Sequence, residues 1–143
     1  MPFLPEPEIE AYLAPLTEDQ DRAIRAIRTM ILEVCPQLDE EIDTGKWFGG
    51  LLTYSSAEVG FIYALGPRAA GATTFHMMSY YSSPVLRELY GKAFKKVLTG
   101  KSCIQFKTQD QIPIDAIRGV LTSTPAYIET AKVFFEARQK KKR

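Results

Sequence analysis

Apolar residues recur along the chain in two periods, one of three to four residues and one of two, and the switch between them separates helical ends from a β-rich middle. Met1 to Pro7 holds three prolines and reads as a loose lead-in, followed by a short helix from about Glu8 to Leu13 that Pro15 ends. Thr17 with Gln20 three residues on forms a capping box, and behind it Ile24, Ile27, Ile31 and Val34 fall on one helical face. From Lys46 the period becomes two. KWF, LLTYSS, EVGFIYAL, ATTFHMMSYY and SCIQFK read as consecutive antiparallel strands, separated by Gly49-Gly50, Ser55-Ser56-Ala57, the Gly66 to Gly71 loop and one helix.

That helix opens at Ser83-Pro84, carries Leu86, Tyr90, Ala93 or Phe94, and Val97 in a stripe, and is expected to close at Gly100. After the fifth strand, Pro113 opens a helix with Ile114, Ile117, Val120 and Leu121 on one side. Thr124-Pro125 opens the last, with Ile128, Ala131, Phe134 and Phe135, and residues 139–143 read as a frayed basic tail. The pattern predicts an α+β fold: an antiparallel sheet of about five strands packed against N-terminal and C-terminal helices, as one domain over residues 8–138. In the third strand Val59, Phe61, Tyr63 and Leu65 face one way and Gly60, Ile62 and Ala64 the other. In the fourth, Phe75 and Met77 face away from Thr74, His76 and Met78, and in the fifth Ile104 and Phe106 face away from Cys103 and Gln105.

A length of 143 residues suits a single core, and a formal net charge of +1 gives no global field to draw nucleic acid or a membrane surface. With neither a leader-like opening nor an apolar run of membrane length, the expectation is a cytoplasmic protein. Cys35 and Cys103 fit neither a metal pair nor a disulfide framework, so both are expected as reduced thiols.

Two groups of residues are candidates for function. Glu33, Asp39, Glu40, Glu41 and Asp43 form the densest acidic cluster; carboxylate oxygens suit hard cations such as iron, magnesium or calcium, and the alternative is a solvated acidic edge. Trp47, Tyr63, His76, Met78, Tyr80 and Tyr81 are candidates for a ligand or partner groove, or a homodimer contact, and the alternative is ordinary core. No phosphate-binding loop, nucleophile elbow or zinc-protease motif occurs, and one histidine excludes histidine cages within one chain. A nucleophilic Cys103 would need an adjacent base that the sequence does not place beside it, so catalysis is the minority reading.

The stretch GKSCIQFKTQDQIPIDAIRGVL resembles the closing signature of the YdhG-like family of small bacterial domains, in which a GK-[ST]-x-I-x-F strand leads to a P-[LI]-x-x-I helix. The matching positions are Gly100, Lys101, Ser102, Ile104, Phe106, Pro113, Ile114 and Ile117. With HMMSYYSSPVLRELY and the N-terminal helix, the likeness spans roughly Ile9 to Leu121. It implies an antiparallel sheet packed against helices from both ends of the chain. Some members are described as frataxin-like iron chaperones, which implies weakly bound iron at the acidic cluster and an iron-acceptor protein as partner.

Overall fold

In the computed structural model, which describes residues 3–45 and 49–142 apart from the side chains of Phe135 and residues 139–142, two helices come first. α1 spans Glu6–Leu13 and α2 spans Glu18–Val34. The capping box forms as its spacing predicts: Thr17 Oγ1 accepts from the Gln20 amide N–H at 3.2 Å, and Gln20 Oε1 accepts from the Thr17 N–H at 3.1 Å. The Gln20 side-chain amide also donates to the carbonyls of Arg68 and Ala72, tying the start of α2 to a distant loop. Gln20 is thus buried with its polar atoms satisfied.

Five strands follow as β1 (Asp39–Ile42), β2 (Leu52–Ser56), β3 (Gly60–Pro67), β4 (Thr73–Met77) and β5 (Cys103–Phe106), all antiparallel in the order β1-β2-β3-β4-β5. The count of five agrees with the sequence pattern, but the membership differs. The first strand is the acidic DEEI segment rather than KWF, whose residues 46–48 lie outside those described. A four-residue edge strand with three carboxylates has little strand propensity of its own and is held by its pairing with β2. The fourth run is shorter than expected, because after Met77 the chain turns into α3 (Met78–Tyr81).

Helices α4 (Pro84–Phe94), α5 (Ile114–Thr122) and α6 (Thr124–Lys142) complete the fold. Ser83 caps α4 by accepting from the Leu86 N–H at 3.2 Å. α4 ends at Phe94 rather than at Gly100, because residues 97–99 turn back to pair with β5 through a Leu98–Ile104 bridge. Phe94 is fully buried edge-on to Tyr80, with ring centroids 5.0 Å apart. α6 carries its backbone through Lys142, so the expected frayed tail is helical.

One sheet face presents Leu52, Tyr54, Tyr63, Leu65, Phe75, Met77, Ile104 and Phe106, all buried, to Ile24, Ile27 and Ile31 of α2 and Ile117, Val120 and Leu121 of α5. Tyr63 crosses this core: its hydroxyl lies 2.7 Å from Ser79 Oγ and 2.8 Å from Thr124 Oγ1. Because Thr124 Oγ1 donates to the Leu121 carbonyl at 2.6 Å, it accepts from Tyr63.

Burial raises the pKa of Tyr12 to about 12 and also pushes Tyr54 and Tyr63 up, Tyr54 with a further push from Glu40. An unfolded tyrosine ionises near pH 10, so the folded chain keeps protons that the unfolded chain releases. Stability from these phenols is complete below pH 10 and is lost as the pH climbs through 10 toward 12. Thermal unfolding followed from about pH 8 to about pH 11 is expected to show a steep fall in midpoint above 10, with tyrosinate absorbance rising together with unfolding.

Candidate functional site

The five carboxylates do not converge. On β1, alternation sends Glu40 to the core face and Asp39 and Glu41 to the opposite, exposed face. Glu40 is 4% exposed and fully engaged: Arg28 Nε donates to Oε2 at 2.8 Å and Arg28 Nη2 to Oε1 at 3.0 Å. The Tyr54 hydroxyl donates to Oε2 at 2.6 Å and the Leu4 N–H to Oε1 at 3.0 Å. Burial works against the Arg28 charge, but the Glu40 carboxylate outweighs it and holds the guanidinium pKa above its ordinary value. Glu33 sits on α2 facing Arg118 at 3.5 Å, and Asp43 Oδ1 accepts from the Gly45 N–H beyond the end of β1. Among the described residues, no group of three or more histidine, cysteine, aspartate or glutamate side chains could hold a metal ion. The acidic density of the sequence is thus divided among the buried Glu40–Arg28 pair, the exposed Glu33–Arg118 pair, the Asp43 turn and the exposed Asp39 and Glu41.

The aromatic group divides as well. Tyr63 is completely buried on the core face, stacked on Phe75 at 5.6 Å, and Tyr80 is 3% exposed against Phe94. His76 points to the opposite sheet face and is half-buried, as is Met78, while Tyr81 is 41% exposed. Trp47 lies outside the described residues. No single groove gathers the described members of the set, because strand parity puts Tyr63 and His76 on opposite sides of the sheet.

On that second face the register of β4 and β5 sets His76 opposite Cys103. The Met77 N–H bonds the Ser102 carbonyl at 2.7 Å, so the adjoining His76–Cys103 pair takes the narrow position of the ladder, where cross-strand side chains come closest. His76 Nδ1 lies 2.5 Å from Cys103 Sγ, and Nε2 lies 3.7 Å from it. Burial, with a smaller contribution from Arg68, lowers the His76 pKa and keeps the imidazole neutral at physiological pH.

A second feature lies where α3 turns into α4 beside the loop before β5. There a cleft of about 500 Å³ is lined by Tyr80, Tyr81, Arg87, Leu98, Gly100 and Lys101. Arg87 and Lys101 make no ion pair with any described carboxylate, and both are exposed. Arg87 is close enough to the Tyr80 phenol to favour its ionised form, although burial dominates and raises its pKa. An aromatic wall beside two cations can take a flat ligand and a negative charge together.

No known family model, curated protein or solved structure matches this chain. The site therefore stands on geometry alone.

Of the cleft, the sequence singled out Tyr80 and Tyr81 as site candidates and Lys101 only as a motif position, while Arg87 carried no signal of its own. The Cys103–His76 contact was half legible: parity set His76 opposite to Phe75 and Met77 on its strand, and Cys103 opposite to Ile104 and Phe106 on its own. The missing signal was the register between β4 and β5, which turns a parity match into a contact.

Proposed function

We propose that the protein is a small non-catalytic binding protein of YdhG-like type whose site is the cleft between the α3–α4 corner and the loop before β5. Its ligand is a small anion with a flat apolar part. The observation that carries this reading is the pair of uncompensated cations, Arg87 and Lys101, set beside the exposed Tyr81 ring in one cleft. Support for the family reading comes from the strand and helix on which the motif residues Ile104, Phe106, Ile114 and Ile117 sit. The reading does not rest on the acidic cluster, whose best-placed carboxylate already serves Arg28 and Tyr54.

The test is a titration with anilinonaphthalene sulfonate, a fluorescent aromatic anion, on the native chain and on the Arg87→Ala, Lys101→Ala double variant. Native protein is expected to show one saturable site that added salt weakens. The double variant is expected to bind at least about tenfold more weakly, since charge-assisted contacts contribute roughly 1.5–3 kcal/mol each. Unsaturable binding, or equal affinity in the two proteins, would remove the cleft from consideration.

A further inference from the structure

We propose that Cys103 and His76 form a thiol–disulfide exchange site through which Cys103 accepts a reversible mixed disulfide from small anionic disulfides. The inference rests on the Cys103–His76 contact rather than on the cleft and concerns the opposite face of the β4–β5 pair from the core. A nucleophilic thiol requires a base within reach of its proton, and here the register supplies one: Nδ1 of the His76 ring is 2.5 Å from Sγ. The imidazole is the right partner because its burial keeps it unprotonated and able to accept. Both side chains are half-buried rather than enclosed, so a small reagent can approach.

The step balances without any further reagent. Nδ1 of His76 takes the proton from Cys103 Sγ, and the thiolate attacks one sulfur of the small disulfide. The Sγ–S bond forms as the S–S bond of the reagent breaks, and the departing thiolate takes the proton back from the imidazolium. Cys103 is oxidised to the mixed disulfide and the reagent is reduced to one free thiol. Anionic reagents are favoured because the charge acting on His76 is positive, that of Arg68, and because Lys101 and Lys107 flank β5 in the sequence.

The adduct should persist, since no second thiol can resolve it. The chain has two cysteines, and Cys35 is fully buried on the other side of the sheet. Its Sγ faces the Leu121 carbonyl and Thr124 Oγ1, each at 3.4 Å. Burial pushes the Cys35 thiol pKa up, which makes it an internal unreactive control.

Intact-mass spectrometry of the folded chain in oxidised glutathione tests this, with peptide mapping to locate the adduct. One glutathione on Cys103 and none on Cys35 is expected, with no adduct in Cys103→Ser. His76→Asn, with its fold checked by circular dichroism, is expected to react at least about tenfold more slowly, the lower end for loss of a general base. The cationic disulfide cystamine is expected to react more slowly than oxidised glutathione. As a measure that needs no variant, folded Cys103 should react faster than the same thiol in the urea-unfolded chain at equal pH. An equal or slower rate in the folded chain, an unchanged rate in His76→Asn, or preferential modification of Cys35 would each overturn the proposal.

Discussion

Arg28→Ala is expected to destabilise the fold by about 3–5 kcal/mol, the range for breaking a buried ion pair from one side. The magnitude follows from what is left behind. Glu40 has no side-chain exposure and Arg28 only 15%, so the carboxylate that loses its two guanidinium bonds cannot recover them from water. Tyr54 and Leu4 would still donate to it, but they do not neutralise its charge. The same substitution loosens the N-terminal segment, because Arg28 Nη2 also donates to the Leu4 carbonyl at 3.3 Å and the guanidinium lies over the Phe3 ring at 5.9 Å. Urea denaturation checks the result. With a slope of about 1–3 kcal/mol per molar, the midpoint should fall by roughly 2 M. The Arg28→Met, Glu40→Met double variant should lose less than Arg28→Ala, because no unpaired charge remains in the core. A single-variant cost below about 1 kcal/mol would mean that the pair behaves like an exposed one and that Glu40 is hydrated.

This ion pair also shows where reading the sequence stops. The helix starts were legible because their signals are local: Thr17 with Gln20, and Ser83 with Pro84, need only neighbouring residues. The alternation of β3, β4 and β5 was legible for the same reason, and it sets Tyr63, Leu65, Phe75, Met77, Ile104 and Phe106 on the core face, although Ile62, Ala64 and Thr74 on the other face are buried too. Strand β1 was not. Asp39 to Ile42 carries no intrinsic preference for a strand, and its place is set by pairing with β2 and by Arg28 and Tyr54 waiting for Glu40. Gly100 offered a good helix stop that the chain does not use, because pairing of residues 97–99 with β5 ends α4 earlier.

The same division governs the candidate sites. Residue type made the acidic run look like a cation site, but alternation on β1 parts Glu40 from Asp39 and Glu41, and Glu33 on α2 and Asp43 beyond the strand lie on other elements. Residue type also made His76 look isolated. Its closest described chemistry, Cys103, is 27 residues away and arrives only through the register of two strands. Arg87 and Lys101 lie 14 residues apart in sequence and meet at one cleft only because α4 and the loop before β5 fold against the α3 corner.

Phe75→Ala is expected to cost about 3–5 kcal/mol, as large-to-small changes of a buried phenylalanine do. Phe75 occupies the centre of β4, with Leu65 opposite on β3 and Ile104 opposite on β5, and has no exposure. Neighbours on both strands are fixed by ladder pairing, so the sheet cannot close over the space the ring leaves, and the cavity term adds to the lost transfer free energy. The ring also stacks on Tyr63 with an interplanar angle of 13°, and Tyr63 is fastened at its far end to Ser79 and Thr124. Loss of the stack therefore loosens a side chain that links the sheet to α3 and α6. Phe75→Leu retains most of the volume and should cost clearly less than Phe75→Ala, and Tyr63→Phe should cost roughly 1–3 kcal/mol for the hydrogen-bonding groups left unpaired. Because the residues touch, Phe75→Ala combined with Tyr63→Phe should depart from additivity. Equilibrium unfolding of the four proteins in urea, set against the native chain, checks the series. Costs for Phe75→Ala no larger than for Phe75→Leu would show that the sheet collapses around the cavity, and additive costs would show that the Tyr63 hydroxyl network holds without the stacked ring.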